Sequence, residues 1–412
     1  MKRISLFLLL FLLLKATVMY SQDGHPETNF RIVPVSPNAA SLGTFGMIPT
    51  DNYVGQANLT IPIYEIDLDG KKFPIALSYH TDGTRVAQEA TWIGLGWTLQ
   101  AGGCVVRQVQ GTDDFAARGC YNLTDAPWLT NPRFEVTDQN LEKYMGYFKG
   151  DYDAEPDMFY FNAGGHSGSM YFDVLKNNRQ LNAVPTIQTQ EKVVKMVYNT
   201  SNKTWTMTDL EGYVYSFSTK EITYYFLNTI DFFQTDITRS HIFPYYNEPQ
   251  IVTAWMLDSV TSPNGGKITF SYKKESIFTP ISTTEDVISL SKIVNGQLSS
   301  QSPQYFTNKF NYNYSYSKIE QWTLSAITFE GGKVEFGTTD REDIESAETG
   351  KKVQKLSSIK VSDTAGNLIK TTMLEYKYLL SGMAATTNGY DDRLLLSKVY
   401  DVAGSKKNNV YT

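Results

Sequence analysis

Five times along this chain, two short runs of alternating apolar residues flank a tight turn of Gly, Asn, Asp or Glu. Leu59, Ile61 and Ile63 lead through Asp69-Gly70 to Phe73, Ile75, Leu77 and Tyr79. Trp205 and Met207 lead through Asp209-Leu210-Glu211-Gly212 to Tyr213, Tyr215 and Phe217. Leu257 and Val260 precede Asn264-Gly265-Gly266, with Ile268, Phe270 and Tyr272 beyond it. Leu324 and Ile327 precede Glu330-Gly331-Gly332, then Val334 and Phe336. Ile359 and Val361 precede Ala365-Gly366-Asn367, then Leu368 and, further on, Leu374, Tyr376 and Tyr378. Side chains of a strand point alternately to opposite faces, so a period of two buries one face, and Asp-Gly is the commonest short hairpin signal. The expected fold is all-β: antiparallel hairpins and meanders forming large twisted sheets, with few short helices. The best helix signal is Asp138 to Tyr147, with Leu141, Tyr144 and Met145 at helical spacing. Residues 22–50, rich in Pro, Asn, Ser and Gly, read as an extended lead-in.

The N-terminus reads as an export signal. Lys2 and Arg3 precede nine uninterrupted apolar residues, Leu6 to Leu14, too few for the roughly 20 a membrane helix needs but suited to a signal-peptide core. Small Ser21 can stand just before the cleavage point, so residues 1–21 are expected to be removed and the remainder delivered to the periplasm, the outer surface or the medium; a retained membrane anchor is the alternative. No later segment is long and apolar enough to span a bilayer as a helix. The remaining chain exceeds the ~250–300 residues at which one core stops growing. The expected units are 22–125 (an N-terminal β module with a Trp-Gly-rich stretch), 126–272 (a middle β module), 273–318 (a polar insertion or ragged hairpin) and 319–412 (C-terminal hairpins). The 27 Tyr and 22 Phe suit pleated, half-buried surfaces. A net charge of −6 argues against nucleic acid, which requires a basic face.

Few patterns carry chemistry. Cys104 and Cys120 are the only cysteines; in an exported chain they are candidates for a disulfide, with two separate thiols as the alternative. Two cysteines and four histidines make no zinc site. The alternating carboxylates Asp151, Asp153, Glu155 and Asp157 are a candidate calcium ligand set, since calcium takes six to eight oxygens; a solvated acidic turn before a buried strand is the alternative. No other cofactor is indicated. Gly94-Leu95-Gly96 lacks the third glycine of a dinucleotide loop. Gly165-His166-Ser167-Gly168 lacks the spacing and the strand-to-helix turn of a nucleophile elbow and reads as a hairpin turn. Asp113-Asp114, read as neighbours on a strand, would face opposite sides and so form no glycosidase pair.

One family resemblance covers most of the mature chain. Ser36-Pro37-Asn38-Ala39-Ala40-Ser41-Leu42-Gly43, Gly55-Gln56-Ala57-Asn58-Leu59-Thr60-Ile61-Pro62-Ile63-Tyr64, Leu77-Ser78-Tyr79-His80 and Trp92-Ile93-Gly94-Leu95-Gly96-Trp97 occur in this order. Glu155-Pro156-Asp157-Met158-Phe159, Trp255-Met256-Leu257 with Ser262-Pro263-Asn264-Gly265, and Asp392-Arg393-Leu394-Leu395-Leu396 extend it. Together they resemble the N-terminal region of secreted RHS/YD-repeat proteins of Bacteroidetes, a region distantly similar to the N-terminal part of toxin-complex B components and of the Salmonella virulence-plasmid B protein. The resemblance implies a non-enzymatic β-rich scaffold or shell, at the cell surface or outside it, whose partner is another polypeptide or a downstream YD-repeat array. Tyr400-Asp401-Val402-Ala403-Gly404 is the only YD-like fragment before Thr412. The alternative role is a carbohydrate-binding or adhesin module with a glycan ligand, using aromatic side chains such as Trp128 or Trp322.

Overall fold

A computed structural model of the chain describes residues 33–45, 58–80, 88–111, 113–116, 119–122, 137, 141, 145, 153, 155–173, 182–188, 194–230, 242–244, 250–290, 293–294, 297–298, 307–379, 392–403 and 406–411. The export signal at 1–21 and Trp128 lie outside these residues. So does most of the expected helix at 138–147, of which Leu141 and Met145 are helical, with Leu141 N–H donating to Thr137 O at 2.9 Å.

Antiparallel sheet dominates. A small sheet comprises β1 (Asn58–Leu68), β2 (Lys71–His80) and β3 (Trp97–Gln100), in that order. The large sheet begins with β4 (Gly103–Gln108), β5 (Met158–Ala163), β6 (His166–Tyr171), β7 (Asn182–Ala183), β8 (Thr186–Ile187), β9 (Val194–Asn199) and β10 (Thr204–Asp209). It continues with β11 (Val214–Ile230), β12 (Phe243–Pro244), β13 (Gln250–Thr261), β14 (Lys267–Phe278) and β15 (Ser282–Leu290). A two-stranded ribbon, β16 (Ile293–Val294) and β17 (Gln297–Leu298), precedes the long β18 (Thr307–Phe329). The large sheet ends with β19 (Gly332–Asp340), β20 (Glu345–Ser346), β21 (Gln354–Ser362), β22 (Leu368–Leu379), β23 (Arg393–Ala403) and β24 (Lys406–Tyr411). Four strands close on themselves: β11 pairs with β13, β13 with β14, β14 with β18, and β18 with β11. Their length allows it. A strand of 17 or 23 residues exchanges one neighbour for another along its course, and β4 enters beside β13 where β14 leaves it.

The turns explain the hairpins. Asp69 and Gly70 both have positive φ (51° and 92°), the two-residue type I′ geometry whose twist matches the flanking strands. The turns starting at Asp209, Ser262 and Asp363 share a longer design. In each, the first residue's N–H donates to the carbonyl four residues on, and its carbonyl accepts from a glycine N–H three residues on. Asp209 and Asp363 each add a carboxylate oxygen that caps two further turn N–H groups.

Strand β1 corrects the simple alternation. Ile61 and Ile63 are buried on odd positions, but Ile66 and Leu68 on even ones, because a register shift falls between Pro62 and Tyr64. A bulge inserts one residue and so changes which positions face inward. Leu59, expected on the buried face, is half exposed at 51%.

The aromatic content goes into the core. Trp205 lies 4.8 Å from Tyr198, 5.3 Å from Phe159, 5.7 Å from Phe172 and 6.1 Å from Trp255, ring centre to ring centre. Each such side chain stabilises the fold by about 1.5–3 kcal/mol through burial, and tilted or edge-on ring pairs add to that. One contiguous core runs from Ile61 on β1 to Val399 on β23. It crosses the expected boundary near residue 125. The segment 273–318, expected as a polar insertion or a ragged hairpin, carries ladder pairs: Lys273–Phe278 pair with Lys318–Thr323, and β15 pairs with Thr307–Ser315 as a hairpin does.

The lead-in also differs from expectation. Pro37–Phe45 forms a helix, α1. Ser36 caps it, its Oγ accepting the Ala39 N–H at 3.1 Å and its carbonyl the Ala40 N–H at 2.8 Å. Pro37 occupies the first helical position, where its missing N–H costs nothing.

Candidate functional site

The segment Val33–Phe45 lies in a groove between β3, β4 and β5, on which its helix packs, and side chains of the ring strands β11, β13, β14 and β18. Ser36 N–H donates to Glu221 Oε1 on β11 at 2.8 Å, and Thr223 Oγ1 donates to Pro34 O at 3.0 Å. Thr253 Oγ1 on β13 also reaches Glu221 Oε1, at 3.1 Å. Further along, Asn162 Nδ2 on β5 donates to Leu42 O at 3.1 Å, and Asn38 Nδ2 to Gln321 Oε1 on β18 at 3.4 Å. The apolar contacts alternate with these bonds. Val33 packs with Val109 and Ile251; Ala39 packs with Cys104, Val106, Ala254 and Met256, flanked by Val35, Leu42, Tyr272 and Trp322. Burial pushes the Glu221 carboxyl up from its ordinary range. Its second oxygen, Oε2, is buried without a hydrogen-bond partner. A cavity of about 40 Å³ remains beside α1, lined by Ala39, Leu42, Trp92, Met256, Tyr272 and Trp322. Trp322, expected as an exposed aromatic, is half-buried here and its indole N–H donates to Lys220 O at 2.7 Å.

The Trp-Gly stretch lies next to this groove and joins distant parts of the chain. Trp92 N–H donates to Asn38 Oδ1 at 2.9 Å, and Trp92 O accepts the Leu356 N–H of β21 at 2.9 Å. Leu95 N–H reaches Leu394 O of β23 at 2.8 Å. Gly94 permits this approach: its φ is +116°, and a Cβ there would stand 2.8 Å from Leu396 N. The buried Arg341 holds Asp343 through two bonds (2.8 and 2.7 Å) and donates to the carbonyls of Thr91 and Ala90 at 3.0 and 3.2 Å. Asp343 Oδ2 in turn accepts the Leu394 N–H at 3.1 Å. Three of the motifs behind the family resemblance therefore meet at one place. Arg341 and Asp343 carried no sequence signal that singled them out.

The acidic run divides. Asp151 lies outside the described residues, Glu155 is exposed, and Asp153 and Asp157 are buried. Asp157 is taken by the buried Arg107, whose Nε lies 2.8 Å from Asp157 Oδ2 and whose Nη2 contacts both Asp157 and Asp113. Asp157 also accepts the N–H groups of Gln110 (2.8 Å) and Asp114 (3.1 Å). Arg107 stacks over Phe115 and Phe159, 5.1 and 5.7 Å from the ring centres. Burial and the adjacent Asp157 push the Asp114 carboxyl up to about 9, so Asp114 carries a proton at neutral pH. Among the described residues, no group of three acidic, His or Cys side chains has metal-holding geometry. Asp113 and Asp114 sit in a turn rather than on a strand and converge on this cluster, so the sequence argument that separated them does not hold.

The cysteines are both buried and unbonded, matching the alternative of two separate thiols and not the candidate disulfide. Cys104 and Val106 face α1, whereas Val105 and Arg107, on the opposite face of β4, point to the main core and the acidic cluster. Cys120 belongs with that cluster, near Asp114, Asp153 and Asp157. The sheet separates the two thiols, and burial holds both well above the usual range.

A third polar group pins the β1–β2 turn. Lys71 Nζ lies 2.6 Å from Asp209 Oδ2 and 3.0 Å from Glu211, with Tyr215 Oη 3.1 Å and His166 Nε2 3.7 Å from the same Asp209 oxygen. These bonds hold Asp209 below the usual carboxylate range and Lys71 above the usual amine range, against the opposing effect of burial. The pair is therefore ionised. Ser167, on β6, is exposed and faces Asn162 across the ladder, as a hairpin residue.

No protein-family model matches the chain, and no curated protein does. Among solved structures it is similar to the N-terminal domain of the effector protein SpvB from Salmonella typhimurium strain LT2, with a TM-score of 0.38 and 11% identity over 84% of this chain and 99% of that one. It is also similar to a TcdB2-TccC3-Cdc42 structure, with a TM-score of 0.39 and 10% identity over 87% of this chain and 15% of that one. The Tc holotoxin pore of Photorhabdus luminescens gives the same values. This chain spans about 15% of the length of those larger chains. Among the described residues, no helix is long and apolar enough to cross a membrane.

Proposed function

We propose that this chain is an exported, non-enzymatic β-scaffold of the RHS type that binds or encloses another polypeptide at the cell surface or outside it. The carrying observation is the way the ring strands, together with β3, β4 and β5, hold residues 33–45. Glu221 and Thr223, with Asn162 on the adjoining β5, engage main-chain N–H and C=O groups of that segment. Bonds to main-chain groups with apolar contacts between them are how protein surfaces hold peptide segments, here a short extended stretch, 33–36, followed by the helix α1. The buried charges support the same reading: Arg107 and Arg341 bind carboxylates and main-chain carbonyls of their own fold and so act as joints. Export rests on the positive and apolar N-terminal run, Lys2 to Leu14.

Chemical cross-linking and mass spectrometry on native surface extracts tests the proposal. The expected result is reproducible cross-links from this chain to a second polypeptide. Cross-links confined to the chain itself, at full recovery, would refute it.

A further inference from the structure

Residues 33–45 are held as a bound peptide is held. The hydrogen bonds that tie them to the framework reach partners 54 to 283 positions away in sequence. The segment has little structure of its own to contribute. A helix of nine residues is marginal in water, and this one contains Asn38, Ser41, Gly43 and Thr44, all weak helix formers. Its helix depends on the groove. Two features of the fit stand out: Glu221 Oε2 is fully buried with no hydrogen-bond partner among the described residues, and a cavity of about 40 Å³ lies beside Ala39, Leu42 and Trp322. A buried acceptor without a donor is costly.

We infer that Val33–Phe45 is the resident occupant of a polypeptide-binding groove, and that a segment of a second polypeptide takes its place there. The inference rests on the proposed scaffold role and specifies its site. The chemistry of the incoming segment follows from the groove. It presents apolar residues at the places of Val33 and Val35 and a main-chain N–H to Glu221. A small residue crosses Cys104 where Ala39 lies, and an apolar residue stands at the place of Leu42. A segment that also brings a donor to Glu221 Oε2 and fills the cavity binds more tightly than the resident.

Cys104 reports displacement directly, because its thiol is buried in the cluster with Ala39 while Cys120 is buried elsewhere. On the full chain, thiol alkylation with peptide mapping should show Cys104 reacting at least tenfold faster than Cys120 under native conditions. A synthetic peptide of residues 33–45 should bind the full chain saturably, measured by fluorescence anisotropy. Ser36→Pro removes both the N–H that Glu221 accepts and the Oγ that caps the Ala39 N–H; it should raise the Cys104 rate by at least a further tenfold. Added peptide should lower that rate again. Hydrogen exchange of the unmodified chain covers the case in which Ser36→Pro fails to fold: the Ala39 and Ala40 amides should exchange well before those of β11 and β13. Equal exchange of α1 and the ring strands, with Cys104 and Cys120 reacting together and no peptide bound, would overturn the inference. A partner cross-linked only outside the ring strands and β4 would overturn the groove while leaving the scaffold role in place. Absence of any partner would remove the scaffold role, whatever the amides show.

Discussion

Arg107 gathers buried charge, with Asp113 and Asp157 in direct contact and Asp114 behind them. Removing one member of a buried ion pair leaves its partner charged in a medium of low polarity. Arg107→Met is therefore expected to destabilise the protein by about 3–5 kcal/mol, measured by urea denaturation. Asp114 gives a pH prediction. Its carboxyl rises from 3.8 to about 9 on folding, so the folded state favours the protonated form. That contribution is whole below pH 3.8 and is lost progressively as pH rises to about 9. Asp114→Asn, always neutral, escapes the loss, so its melting temperature should overtake that of the parent as pH rises from 6 to 9. Parallel melting curves across that range would contradict this. Little of the cluster was legible in the sequence. Spacing showed alternating carboxylates at 151–157 but could not show that Arg107, some 50 residues earlier, binds one of them. The Asp113-Asp114 pair was misread because a turn, which has no strand alternation, holds both.

Turns and glycines separate well at the scale of elements. Gly94 and Gly70 both have positive φ, but only Gly94 has backbone against the place a Cβ would fill. Gly70→Ala, facing open space, is expected to cost about 1–2 kcal/mol from its positive φ alone, whereas Gly94→Ala adds a clash with the main chain of Leu396, so it should cost more and loosen the contact with β23. Chemical denaturation of the two variants side by side reads the difference. The hairpins were legible because their turn residues are local: an aspartate or serine with a glycine three positions on determines the geometry within five residues. Ser36-Pro37 was equally local, a cap followed by a first-turn proline, but the surrounding Asn, Ser and Gly content concealed it. The bulge in β1 was not legible, since only pairing with β2 reveals where the register shifts. Past Tyr272 the apolar alternation of β14 fades, because Lys273 and Lys274 are exposed while the strand continues to pair with β18. Composition marks such a stretch as an insertion; main-chain bonding keeps it in the sheet.

For the whole molecule, the described core is continuous from β1 to β23 and the N-terminal segment is tied into the ring. The expectation from length alone was several packed units. A shared core predicts one calorimetric unfolding transition for the described body, and two resolved transitions would restore the separate units. Contacts between residues 185 to 307 positions apart also predict slow folding, because long loops must close before those contacts form. The functional claim is tested most directly by the mass of the particle purified without denaturant from native surface extracts, measured by light scattering with peptide identification. A polypeptide-binding scaffold predicts a particle heavier than the monomer that contains a second polypeptide. A strict monomer with no protein partner would contradict it.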